Sequence, residues 1–96
     1  MKAIEFLMTE IEQRIYEAHE QIEHALMWRD VDKELSDCLY RMAGEMMGQA
    51  DRLQAHAVRI LHMPGNEAVM PIWEYAHKKD IDKAAKVHAM MGMYKM

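Results

Sequence analysis

The segment Glu74-Tyr75-Ala76-His77, followed by Asp80, sets a carboxylate and an imidazole three residues apart. On a helix that spacing brings both groups to one face, where they can converge on a metal ion. A single Glu-x-x-His is weak on its own, because a carboxylate-bridged two-metal site needs two of them and two further glutamates. The stretch YEAHEQIEHAL, Tyr16 to Leu26, offers two more pairs four apart, His19 with Glu23 and Glu20 with His24. These can chelate on one helix face or form a solvated polar face. Near the carboxyl end, Met90, Met91, Met93 and Met96 stand close to His88, a set of soft ligands that suits copper. The same methionines sit at helical spacing, where an unbranched thioether fills gaps in a core or an interface, and packing is the better reading. Cys38 is the sole cysteine, so it has no intrachain disulfide partner, and no histidine network marks it as a nucleophile. No glycine-rich phosphate loop, zinc spacing or hydrolase triad order is present.

The elements that must position these groups are helices. Ninety-six residues, half of them apolar, suit one domain spanning 1–96, and with two Pro and four Gly the composition favours helix throughout. Ile4, Leu7, Ile11, Ile15, Ala18, Ile22 and Ala25 recur at spacings of three and four, predicting a first helix over about 2–28. Asp30 and Asp32 are candidate N-caps for a second helix, although the absence of Gly and Pro leaves a continuous helix as the alternative. The second helix, about 32–62, carries the stripe Leu35, Leu39, Met42, Met46, Ala50, Leu53, Ala57 and Ile60. Pro64-Gly65-Asn66 stops it, and a third helix over about 67–94 turns Trp73, Ala76 or His77, Ala84, Val87, Met91 and Tyr94 toward the core. The expected architecture is an all-α antiparallel three-helix bundle.

The second helix is apolar over more than one stripe, since Tyr40, Ala43, Gly44, Met47, Gly48, Ala55 and Val58 form a second arc. A helix apolar on two sides needs two partners. The pair Gly44 and Gly48 would admit a close neighbour, either within the chain or in a second subunit. The expected subunit interface comprises Tyr40, Gly44, Met47 and Gly48 with Met90, Met91 and Met93 of the tail. A homo-oligomer, most simply a dimer, follows from it.

Net charge is −4 with both signs interleaved, so no basic footprint points to direct nucleic-acid binding, and no array of acids mimics a nucleic acid. No stretch approaches a membrane span, and Met1 to Thr9 is too polar for a signal peptide. A reducing cytoplasm is the expected compartment.

The pattern Ala25-Leu26, Asp30, Glu34-Leu35, Leu39-Tyr40-Arg41-Met42-Ala43 and Glu45-Met46-Met47-Gly48-Gln49-Ala50-Asp51-Arg52-Leu53 resembles small ferritin-like, rubrerythrin-type helical proteins. It is most similar to the compact members that recur in bacteriophage and prophage genomes. The resemblance covers the chain to about His62, with a looser likeness through Trp73, His77 and Met93-Tyr94-Lys95. It implies a ferritin-like bundle, completed by oligomerisation. The positions that register with the family's iron ligands hold Arg14, Met46 and Gln49. Such a set cannot bridge two hard cations, and Arg14 would repel them. The reading that follows is a non-enzymatic, self-associating interaction protein without a cofactor, a structural accessory or an inhibitor that binds a host protein. The alternative is a ferritin-like protein for iron oxidation or storage, whose site draws on Glu17, Glu20, Glu45, Glu74 and His77.

Overall fold

The computed structural model describes residues 3–96, and in it the chain forms three long helices: α1 over Ala3–Trp28, α2 over Lys33–Leu61 and α3 over Met70–Lys95. The expected start of the first helix at Lys2 lies outside the described residues. Helices α1 and α2 are separate. The chain turns at Arg29–Asp32, where the amides of Val31 and Asp32 both donate to the Trp28 carbonyl. Of the two candidate caps Asp32 acts, its carboxylate accepting from the Leu35 amide at 3.0 Å, while Asp30 is exposed.

At the other end Gly65 takes φ +95°, a left-handed conformation that disfavours any side chain, and Asn66 Nδ2 donates to the Ile60 carbonyl at the end of α2. A 3-10 turn over Glu67–Val69 intervenes before α3, so α3 begins at Met70 with Pro71 in its first turn, where a missing amide costs nothing. Arg14 of α1 meets Gln49 of α2, and Ser36 of α2 meets Ala25 of α1, so these two helices run antiparallel. Glu12 lies beside Asp80, Tyr16 beside Lys83 and Arg29 beside Met93, so α3 rises alongside α1 in the same direction. The helices pack as a rod 52 Å long. α1 is the central member: it packs along α2 and, less extensively, along α3, whereas α2 and α3 meet only sparsely.

All seven apolar positions predicted for α1 are buried. In α2 the burial differs from expectation. The buried line is Ser36, Ala43, Met47, Ala50, Ala57 and Leu61, while Leu35 and Met42 are 39 % and 38 % exposed and Leu39, Met46, Leu53 and Ile60 are half-buried. The reason is a column of small residues seven apart, Ser36, Ala43, Ala50 and Ala57, lying on a helix whose own buried line includes Ala18 and Ala25. Side chains this short let two backbones approach, and the larger residues are then displaced to the flanks of the seam.

Three further columns on α2 also repeat every seven residues. Leu39, Met46, Leu53 and Ile60 are covered in part by the core. Tyr40, Met47, Gln54 and Leu61 lie on the α3 side, where Tyr40 stacks on Tyr94 at 4.6 Å. Leu35, Met42 and Gln49 lie on the opposite edge, where Gln49 accepts from Arg14 and the two apolar members remain open.

Candidate functional site

The middle of the inward face of α3 is acidic. Trp73, Val87 and Tyr94 are its buried positions, with Ala76, His77, Ala84 and Met91 half-buried as predicted, but Asp80 occupies the centre of the same stripe. Asp80 lines a groove of about 320 Å³ between α1 and α3, with Ile15 and Ala76 also in its lining, Glu12 opposite and the exposed rings of Tyr16 and Tyr75 at its edges. Burial, reinforced by the Glu12 carboxylate and opposed by Lys79, pushes the Asp80 acid up to about 6. Lys83 stands 4.9 Å from the centre of the Tyr16 ring and Lys79 5.5 Å from that of Tyr75, so both ammonium groups are held against aromatic faces. Such a groove can exchange a proton near neutral pH. Its lining includes no Ser, Thr, Cys or His, and its ionisable side chains are those of Glu12, Asp80 and Asp82, of Lys79, Lys83 and Lys86, and of the two tyrosines.

The second polar constellation closes the far end of the rod. Ser36, fully buried, donates its hydroxyl to the Ala25 carbonyl at 2.7 Å and lies 2.9 Å from the Tyr94 hydroxyl, which itself donates to Asp37. Lys33 Nζ sits 3.1 Å from the same carboxylate and 5.0 Å from the Tyr94 ring centre. The hydrogen bond from Tyr94, and then that from Lys33, hold the Asp37 carboxyl below its ordinary value, and Asp37 in turn raises the Lys33 ammonium. Every polar group in the cluster points at another member or at backbone. The cluster therefore ties the last turn of α3 to the corner between α1 and α2.

The residues singled out by sequence do not assemble as a metal site. Glu17 and Glu20 are exposed on α1, Glu45 on α2 and Glu74 on α3, while His77 is half-buried and stacks on Trp73 at 5.3 Å. Among the described residues no three His, Cys, Asp or Glu side chains converge as an ion site. Nδ1 of His77 is buried without a hydrogen-bond partner among the described residues. His19 and Glu23 meet each other at 2.7 Å rather than an ion. Arg14 and Gln49 do come together, at 3.2 Å, with Glu10 on the other side of the guanidinium at 3.1 Å.

The expected interface arc is spent largely inside the chain. Met47 is 4 % exposed and belongs to the core, which removes it from any subunit contact. Tyr40 stacks on Tyr94, Met90 and Met91 pack against the core, and a methyl group built on Gly44 would meet Met91 Cε at 3.6 Å. At Gly48 it would meet only the end of the Arg52 side chain, so neither glycine serves a close backbone approach within the chain. Met93, 55 % exposed, is the member that remains largely open. The sequence reading missed the flank that is free in its place, Leu35 and Met42 backed by Leu39, Met46, Leu53 and Ile60, because it assigned those residues to the core. Among the described residues no helix is long and apolar enough to cross a membrane. Compared with family models, with curated proteins and with solved structures, the chain matches none.

Proposed function

We propose that the chain is a non-catalytic helical interaction protein that self-associates. The observation that carries this reading is the open flank of α2, a run of half-covered Leu, Met and Ile side chains from Leu35 to Ile60 at spacings of three, four and seven. At about 1.5 Å per residue it extends most of the length of α2. Contiguous apolar surface of this kind marks an association site more often than it marks a free monomer surface. The roles implied by the resemblance, a structural accessory of a phage or an inhibitor of a host protein, both require such a surface. The side chains at the positions that register with the family's iron ligands, Arg14 and Gln49, are engaged with each other, which favours the interaction reading over an iron-handling one.

Mass in solution tests the reading. Light scattering across micromolar concentrations is expected to give a mass above the 11.3 kDa of one chain, falling toward it on dilution. A monomeric mass that does not change on concentrating would remove the proposal.

A further inference from the structure

Trp73, Asp80, Val87 and Tyr94 stand seven apart on α3 and form one column facing the α1–α2 hairpin. Three of them are the buried residues of α3, and the remaining one is a carboxylic acid. No hydrogen bond or ion pair among the described residues engages that acid, whose surroundings are set by burial, by Glu12 of α1 and by Lys79. Two cavities of about 320 Å³ each adjoin it, the α1–α3 groove and a second among all three helices, lined by Met47 and Ala50 of α2 and Ala84 of α3. The other charged and titratable groups around Asp80 are Tyr16 of α1, Asp51 of α2 and, on α3 itself, Tyr75, Asp82, Lys83, Lys86 and His88. Lys79 and Lys83 are held against the Tyr75 and Tyr16 rings, and His77, one turn earlier, stacks on Trp73. Glu12 and Asp80 thus meet across the α1–α3 seam with no ion pair to either among the described residues.

We propose that α3 is a pH-controlled strap, docked on the α1–α2 hairpin while Asp80 is protonated and increasingly released from it, as a unit, once Asp80 is ionised opposite Glu12. The rest of the helix holds it only loosely. α2 and α3 meet sparsely, and the cavities beside Asp80 leave the middle of the seam with few atoms in contact. On the outward side Ile72, Tyr75 and Ile81 are each more than half exposed, so α3 has no strongly apolar inward face to hold it in place. The connection from His62 to Val69, with left-handed Gly65 within it, supplies the pivot. At the far end the Tyr94 contacts with Ser36 and Asp37 oppose release. Burial, reinforced by Glu12, raises the Asp80 acid to about 6 against an ordinary 3.8. Docking is therefore strongest below 3.8, weakens as pH rises through that window and is weakest above it. The device does not depend on self-association, since the open flank of α2 lies on the edge away from α3.

Amide hydrogen exchange on the full chain at pH 5 and pH 7.5, corrected for the intrinsic exchange rate and read by mass spectrometry, separates α3 from the hairpin. Protection of α3 is expected to fall by about three- to tenfold between the two, while that of α1 and α2 changes by less than about twofold. In Asp80→Asn the α3 protection is expected to stay within about twofold across the same range. A parent α3 whose protection does not depend on pH overturns the strap, as does protection lost equally from all three helices. An Asp80→Asn chain that keeps the parent's fall overturns it too, because another group then carries the proton. Should Asp80→Asn fail to fold, Glu12→Gln decides: the α3 fall is expected to lessen, and an undiminished fall overturns the proposal.

Discussion

Asp80 shows how one side chain sets a pH dependence for the whole molecule. Its acid titrates near 6 in the folded chain, chiefly because burial in the α1–α3 groove disfavours the charged form, against an ordinary value of 3.8. Between those two values the folded chain holds a proton that the unfolded chain has released, so stability falls as pH rises through that window and stays lower above it. Asp80→Asn removes the charge without changing the shape. The variant is expected to be more stable than the parent above pH 6, by roughly 1 kcal/mol once the shift is discounted for partial solvent screening, and equal to it near pH 4. Urea titrations at pH 4 and pH 7.5 check this, and an Asn variant less stable than the parent at pH 7.5 would contradict it. At this scale the sequence was only partly readable. Asp80 drew notice for following Glu74 and His77, yet its consequence comes from Glu12 and Ile15, some 65 to 70 residues earlier, which no local spacing reveals. The Ser36–Tyr94–Asp37 cluster was unread for the same reason, since Ser36 and Tyr94 are 58 residues apart.

Among the elements, α1 was legible to the residue because its buried positions, Ile4, Leu7, Ile11, Ile15, Ala18, Ile22 and Ala25, are all apolar and recur at spacings of three and four. Reading α2 by the same weighting misplaced its centre. Leu35, Met42 and Met46 outrank Ser36, Ala43 and Ala50 in hydrophobicity, but a seam between two helices can be set by the residues that permit approach rather than by those with most surface to bury. The seven-residue recurrence of Ser36, Ala43, Ala50 and Ala57 was visible in the chain. It is a pattern of size, not of hydropathy. The glycines of α2 teach the converse lesson. The space at Gly44 accepts a methyl group at ordinary contact distance from Met91, and the backbone there is helical, so Gly44→Ala is expected to raise stability by about 1 kcal/mol through the unfolded chain's lost freedom. Thermal unfolding measures it. A lowered midpoint would show that the space beside Gly44 is needed by something other than Met91.

For the molecule as a whole, the rod is unevenly tied: α1 and α2 share a long close seam, α2 and α3 touch sparsely, and the Tyr94 hydroxyl pins the end of α3 to Ser36 and Asp37. That last tie closes a loop of 57 or 58 residues, whose entropy must be lost before the contact returns anything. The α1–α2 hairpin, joined by a four-residue turn, has no such cost and is the natural folding nucleus. Tyr94→Phe should therefore destabilise the chain by about 1–2 kcal/mol, the cost of a lost buried hydroxyl network, almost wholly through faster unfolding, with a φ-value near zero. Ala50→Gly, in the small-residue seam, should instead slow folding. Stopped-flow chevrons separate the two limbs, and slower folding in the Tyr94 variant would place α3 in the transition state. If the tie forms last it also opens first, and how long a folded chain survives in dilute solution is then governed by the hold on the ring and hydroxyl of Tyr94.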